Sequence, residues 1–176
     1  MIAAIVLAAG AASRFGAPKQ RLLLGDVLAR LEEAPADEVV VVEGAYELAP
    51  PESDHTRLVS CADWERGIGA SLRCGLAALG DDVEAAVVVL ADGPDLAPET
   101  VGRVIDAWRE GDDELLAASY GGVRGHPVLI ARSAWSDIPD AGLRDREPRL
   151  VPCDDLGSPG DVDTPGDLPS RFRESG

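Results

Sequence analysis

An α/β fold, with a mostly parallel twisted sheet covered by helices on both faces, is predicted by three features of this sequence. Its apolar runs are short and continuous rather than alternating, as strands buried on both faces require. Stretches with helical spacing lie between those runs. Strand and helix patterns alternate along the chain, as connections between parallel strands demand.

The elements run in order from the N-terminus. IAAIVLA (2–8) is the first strand. LLGDVLARLEEA (23–34) places Leu24, Val27, Leu28 and Leu31 on one helical face. EVVVVE (38–43) is the second strand, and RLVSC (57–61) is a weaker strand candidate. GASLRCGLAAL (69–79) forms a helix through Leu72, Leu76 and Leu79, and AAVVVLA (85–91) returns to strand. APETVGRVIDAW (97–108) carries Val101, Val104, Ile105 and Trp108 at helical spacing. Its Pro98-Glu99 opening suits a first turn, where proline loses no hydrogen bond and an acid meets the helix dipole. LLAASY (115–120) and HPVLIA (126–131) complete the strands. The stretch 142–163, rich in Pro, Gly, Asp and Arg, is expected to be irregular, and TPGDLPSRF (164–172) to add a short final helix.

Composition narrows the function. The 176 residues are expected to form one domain, residues 1–176. With only 4% aromatic residues the core must be Ala, Val and Leu. The net charge of −16 excludes a phosphate-backbone partner, so no nucleic acid is expected, and no anionic membrane surface. No apolar run approaches the roughly 18 residues of a membrane span. The first residues lack the layout of a secretion signal, which makes the cytoplasm the expected location. Cys61, Cys74 and Cys153 are odd in number and have neither a C-x-x-C pair nor zinc spacing, so reduced thiols packed as small apolar groups are expected.

In open α/β sheets ligands bind beyond the carboxyl ends of the strands. The residues just past each apolar run are therefore informative. After the first comes GAASRFGAPK, where Gly10 permits a tight turn and Ala11, Ala12 and Ser13 admit close approach to the backbone. Exposed N–H groups there would cradle phosphate oxygens, with Arg14 and Lys19 adding charge. Lys19 is the sole lysine among 16 basic residues. Its compact, mobile ammonium suits a group that tracks a phosphate through a reaction, where a guanidinium offers a fixed fork. The spacing is neither that of a P-loop nor G-x-G-x-x-G, and an ordinary strand-to-helix connection is the alternative. Asp92, at the end of AAVVVLA, either holds a cation or caps a helix, the latter suiting Asp95 better. Asp161 and Asp163 point to one side of an extended segment and either complete a metal site or cap the final helix. His126 is structural or a ligand group; Ser71 and Arg73 meet a nucleotide or acceptor phosphate, with a helix-face role as the alternative for Arg73; Trp64 is read as core.

LAAGAASRFGAPKQ resembles the nucleotide-binding signature of the MobA-like nucleotidyltransferases, matching it at Leu7, Ala8, Ala9, Gly10, Arg14, Phe15, Gly16, Pro18 and Lys19. DWERGIGASLRCGL (63–76), VVLADGPDL (88–96), RGHPVLI (124–130) and DVDTPGDL (161–168) are similar to further motifs of that family, in the same order. The LAAG form and the 63–76 segment resemble the molybdenum cofactor cytidylyltransferase branch. The resemblance implies a Rossmann-like, nucleotide-diphospho-sugar transferase-like fold. It implies transfer of CMP from CTP to molybdopterin with release of pyrophosphate, Mg2+ as cofactor, and an apo-molybdoenzyme as a possible partner. It implies Arg14, Lys19 and Asp92 as catalytic residues, and Leu7, Ala8, Ala9, Gly10, Arg14, Lys19 and Ser71 as the nucleotide site. Gly125, His126 and Pro127 would meet the acceptor, and Asp92 with Asp161 or Asp163 the metal. Ala12 replaces the family's small polar residue, the 20–36 and 43–56 segments are trimmed, and AGLRDREPRL (141–150) keeps little of the family's G-D-x-G-[AR] element. These departures keep two alternatives open: another phosphorylated acceptor, such as a sugar or polyol phosphate, and a non-catalytic relative that binds nucleotide or cofactor.

Overall fold

The computed structural model describes residues 1–11, 15, 18–49 and 51–173. Seven strands form one sheet: β1 (Ile2–Leu7), β2 (Glu38–Glu43), β3 (Thr56–Ser60), β4 (Ala85–Leu90), β5 (Leu115–Tyr120), β6 (Val123–Ala131) and β7 (Arg149–Pro152). Their order is β3-β2-β1-β4-β6-β5-β7. All neighbours are parallel except β6, which runs antiparallel to both β4 and β5. Three longer helices, α1 (Lys19–Glu32), α2 (Ile68–Ala77) and α3 (Pro98–Arg109), cover it.

The continuous apolar runs are explained by burial on both faces. Along β1, Ile2, Ala4 and Val6 face the layer that holds Val27 and Leu31 of α1 and Val101 and Ile105 of α3. Ala3, Ile5 and Leu7 face the other layer, with Leu72 and Leu76 of α2. Every residue of β1 is buried. α2 sits so close that a Cβ on Gly75 would stand 2.8 Å from the Ile5 side chain.

Three expectations need correction. Helix α1 begins at Lys19, four residues before the apolar stripe, because Gln20, Arg21 and Leu22 extend it once Pro18 has set its start. The stretch 142–163 contains strand β7, which pairs with β5 at the sheet edge. Only Val151 of β7 is buried, so it carries no apolar pattern to read. The 164–172 segment forms two short 3-10 turns, Pro165–Asp167 and Ser170–Phe172, rather than a helix, as its two prolines and glycine dictate. The thiol expectation also fails in part. Cys61 and Cys74 form a disulfide with a Cα–Cα distance of 5.8 Å, because α2 folds back over the end of β3. Cys153 is free and buried. Among the described residues no helix is long and apolar enough to cross a membrane.

Candidate active site

The carboxyl ends of β1, β2, β4 and β5 lie at one end of the sheet, and the antiparallel β6 begins there. Main-chain hydrogen bonds tie the loops above them together. Ala8 N–H donates to the Val42 carbonyl, Ala91 N–H to Leu7, Asp95 N–H to Pro159, and Val162 N–H to Asp92. The last of these brings a segment from near the end of the chain to the tip of β4.

Lys19 projects from the first turn of α1 into this junction and is only 8% exposed. Its Nζ donates to Asp92 Oδ2 at 2.8 Å and to the Val162 carbonyl at 2.5 Å, and lies 3.8 Å from Asp163 Oδ1. A buried ammonium is tolerable only when so surrounded. Asp92 Oδ1 is buried and has no partner among the described residues. Buried oxygens are normally satisfied, so this one awaits a donor or a cation. Gln20, 5% exposed, donates its Nε2 to the Gly10 carbonyl at 2.7 Å and leaves Oε1 buried and without a partner among the described residues. It holds the glycine turn against α1.

Two cavities meet here. One, of about 480 Å³, is lined by Ala9, Gly10, Lys19, Gln20, Ser71, Asp92 and Asp163, with Trp64 as a wall. The other, of about 630 Å³, is mostly apolar and reaches Tyr120, Arg124, Gly125, His126, Arg144 and Asp161. Leu7 and Ile68 border both. A larger hollow of about 760 Å³ lies at the opposite end of the sheet, among Asp37, Glu84, Asp112, Asp113 and Glu114. Its acids would repel phosphates, so size does not mark the site.

The structure thus brings Leu7, Ala9, Gly10, Lys19, Ser71, Asp92 and Asp163 to one cavity, and Gly125, His126 and Asp161 to its neighbour. Ala8 is buried in the sheet layer beneath, and Pro127 is buried beyond a cis peptide bond from His126. Arg14 lies outside the described residues. Two of the open readings close as structural. Arg73 donates to the Ile138 carbonyl and to Asp140 Oδ1, both at 2.6 Å, so it anchors a loop. Asp95 caps no helix, since Ala97 precedes α3, and it accepts from Arg171 at 2.9 Å instead. The polar residues not foreseen are Gln20, Arg124, Arg144 and the Val162 carbonyl. Gln20 comes directly after Lys19, but nothing in the sequence shows that its side chain turns back to Gly10.

The electrostatics are those of a site made for bound charge. The Asp161 carboxyl is pushed above its ordinary range by partial desolvation, then by the charges of Asp92 and Asp163, with Lys19 opposing. Because Asp161 reaches solvent at the cleft mouth, the two like charges are the more durable part of that shift. Burial drives the His126 imidazole down to about 4; Asp92 opposes this and Arg124 reinforces it. Among the described residues no three carboxylate, imidazole or thiol side chains are gathered closely enough to hold a metal ion alone. Mg2+ needs fewer: one or two carboxylates, with phosphate oxygens and water completing its shell. The unpaired Asp92 oxygen beside Asp163 fits that demand.

Comparison with known proteins places the fold and the family. Rv0371c from Mycobacterium tuberculosis H37Rv is 30% identical, superposes with a TM-score of 0.76, and the match covers 94% of each chain. A structure of Rv0371c in complex with manganese, from the same organism, matches at 29% identity and TM-score 0.74, covering 99% of each chain. Molybdopterin-guanine dinucleotide biosynthesis protein A from Archaeoglobus fulgidus, at 19% identity, shares the fold with a TM-score of 0.67 over 99% of this chain and 97% of that one. Among curated proteins none matches. The model of the MobA-like NTP transferase domain matches residues 4–152, and the chain belongs to that nucleotidyltransferase family.

Proposed function

We propose that this nucleotidyltransferase joins CMP from CTP to the phosphate of molybdopterin and releases pyrophosphate, using a divalent cation, Mg2+. One observation carries the reading. The Lys19 ammonium and the Asp92 and Asp163 carboxylates share a cleft, and that cleft continues past Leu7 and Ile68 into an apolar chamber. The first part suits a triphosphate and its cation, the second the body of an acceptor. The choice of CTP is supported by the LAAG and 63–76 motifs. The divalent cation is supported by the Asp92 oxygen and by the manganese bound to the similar Rv0371c.

In the reaction an acceptor phosphate oxygen attacks the α-phosphorus of the nucleotide. A P–O bond forms there as the bond to the bridging oxygen breaks, and the electron pair leaves with pyrophosphate. The attacking oxygen carries no proton, so no strong base is required. The protein's task is alignment and charge stabilisation. Held by Asp92 with Asp163 or Asp161, a divalent cation would withdraw charge from the phosphates. Lys19 then exchanges Asp92 Oδ2 for phosphate oxygens and stabilises the departing pyrophosphate. The glycine turn and Gln20 fix the floor on which the triphosphate rests.

The test is pyrophosphate release from each nucleoside triphosphate with Mg2+ and molybdopterin. Turnover with CTP and molybdopterin is expected. Turnover only with a sugar or polyol phosphate would overturn the acceptor assignment. Binding of nucleotide with no release under any pairing would overturn the enzymatic reading.

A further inference from the structure

We propose that Arg124 and Arg144 form the seat for the acceptor's anionic group; this rests on the assignment of the apolar chamber to the acceptor. Arg124 is the second residue of strand β6, two before His126, and Arg144 lies in a loop that also lines the chamber. They are the two basic residues lining that chamber, where Asp161 is the one acid.

Their bonding leaves donors free. Arg124 Nη1 donates to the carbonyls of Arg146 at 2.8 Å and Arg144 at 3.5 Å. Arg144 Nε donates only to the Ala141 carbonyl at 3.3 Å. Neither forms an ion pair among the described residues. In a chain of net charge −16 acids are plentiful, and nearby arginines have found them. Arg66 and Arg73 share Asp140, and Arg103 takes Asp155. A guanidinium has five donors, so most of those on Arg124 and Arg144 remain available. Arg124 is partly buried, and desolvation lowers its pKa; a partly buried cation without an acid gains most from an incoming anion. Two planar guanidinium forks lining one chamber match the oxygens of a phosphate.

The rest of the chamber defines what that phosphate is attached to. Ile68, Leu72, Val128 and Leu143 offer no hydrogen bonds. The ligand is therefore a phosphate ester whose body packs in part against apolar side chains.

The probe is phenyl phosphate, titrated into the full chain by calorimetry without nucleotide. Wild type is expected to bind it more tightly than inorganic phosphate. Arg144→Gln should weaken binding at least tenfold with an unchanged melting temperature. Arg124→Lys, which keeps the charge and a donor to Arg146, should weaken it less than Arg124→Gln. Lys19→Met should leave it within twofold, since the triphosphate cavity is separate. No binding by wild type, binding that Arg144→Gln leaves intact, or binding that Lys19→Met abolishes would each overturn the proposal. In turnover with molybdopterin, Arg144→Gln should raise the acceptor KM at least tenfold and leave the nucleotide KM within twofold; a shift in the nucleotide KM instead would also overturn it. If no acceptor supports turnover, the functional reading fails while the phenyl phosphate result still decides this one.

Discussion

The two cavities share Leu7 and Ile68 and differ in almost everything else. The proposed nucleotide cavity is spanned by an ion pair between residues 73 positions apart and pinned by main-chain bonds from strand ends. The proposed acceptor chamber is the more apolar, lined by side chains of β1, α2 and β4, of the β5–β6 hairpin and of the 141–144 loop, with two arginines and one acid for charge. The first recognises charge through fixed backbone geometry. The second recognises shape, and its walls can change without disturbing the first. Variants on the two sides should therefore separate kinetically.

The largest effect is expected for Asp92→Asn. It removes one of the charges a cation requires and leaves Lys19 buried beside a neutral amide. Turnover should fall about a thousandfold, about 4 kcal/mol of transition-state stabilisation, and nucleotide binding should lose its dependence on divalent ion in a metal titration. Lys19→Met should lower kcat by about a hundredfold or more, with the acceptor KM little changed. Wild-type turnover in either variant would erase the distinction between the two cavities.

Next is Gly69→Ala, on the acceptor side. A Cβ there would stand 1.8 Å from the Pro139 carbonyl oxygen, so α2 or the loop bearing Ala141 and Leu143 must move. Unfolding in urea should show a loss of about 2–4 kcal/mol, and the acceptor KM should rise more than that of the nucleotide. The smallest effect belongs to His126. Its folded pKa is held near 4, below the ordinary 6.5. Between those values the unfolded chain takes up a proton that the folded chain refuses. Stability should therefore fall as pH drops from about 6.5 to about 4, by at most about 3 kcal/mol, and by less to the extent that the ring meets solvent. His126→Gln should flatten that slope in denaturation measured across the window.

The same contrast governs what the sequence made legible. Strand and helix positions were readable because each buried strand is apolar along its whole length, as in Glu38–Glu43, where four consecutive valines are buried. The convergence of Gly10, Lys19 and Asp92 was readable because Gly10 and Asp92 follow the ends of apolar strands and Lys19 opens the helix after the first of them. Strand β7 was hidden because three of its four residues are exposed. The disulfide was hidden because Cys61 and Cys74 meet only through the docking of α2. Arg124 and Arg144 were hidden because the feature that singles them out for the proposed seat is a shared cavity without an ion pair among the described residues, which no spacing announces.

Strand β6 reaches the site through a two-residue turn, Gly121 and Gly122, both at positive φ, with Tyr120 paired to Val123. Nothing stands within 4 Å of where either glycine would carry a Cβ. The two glycines at the hairpin tip thus leave room for side chains that the rest of the hairpin, tied to Pro152, Cys153 and Asp154, does not.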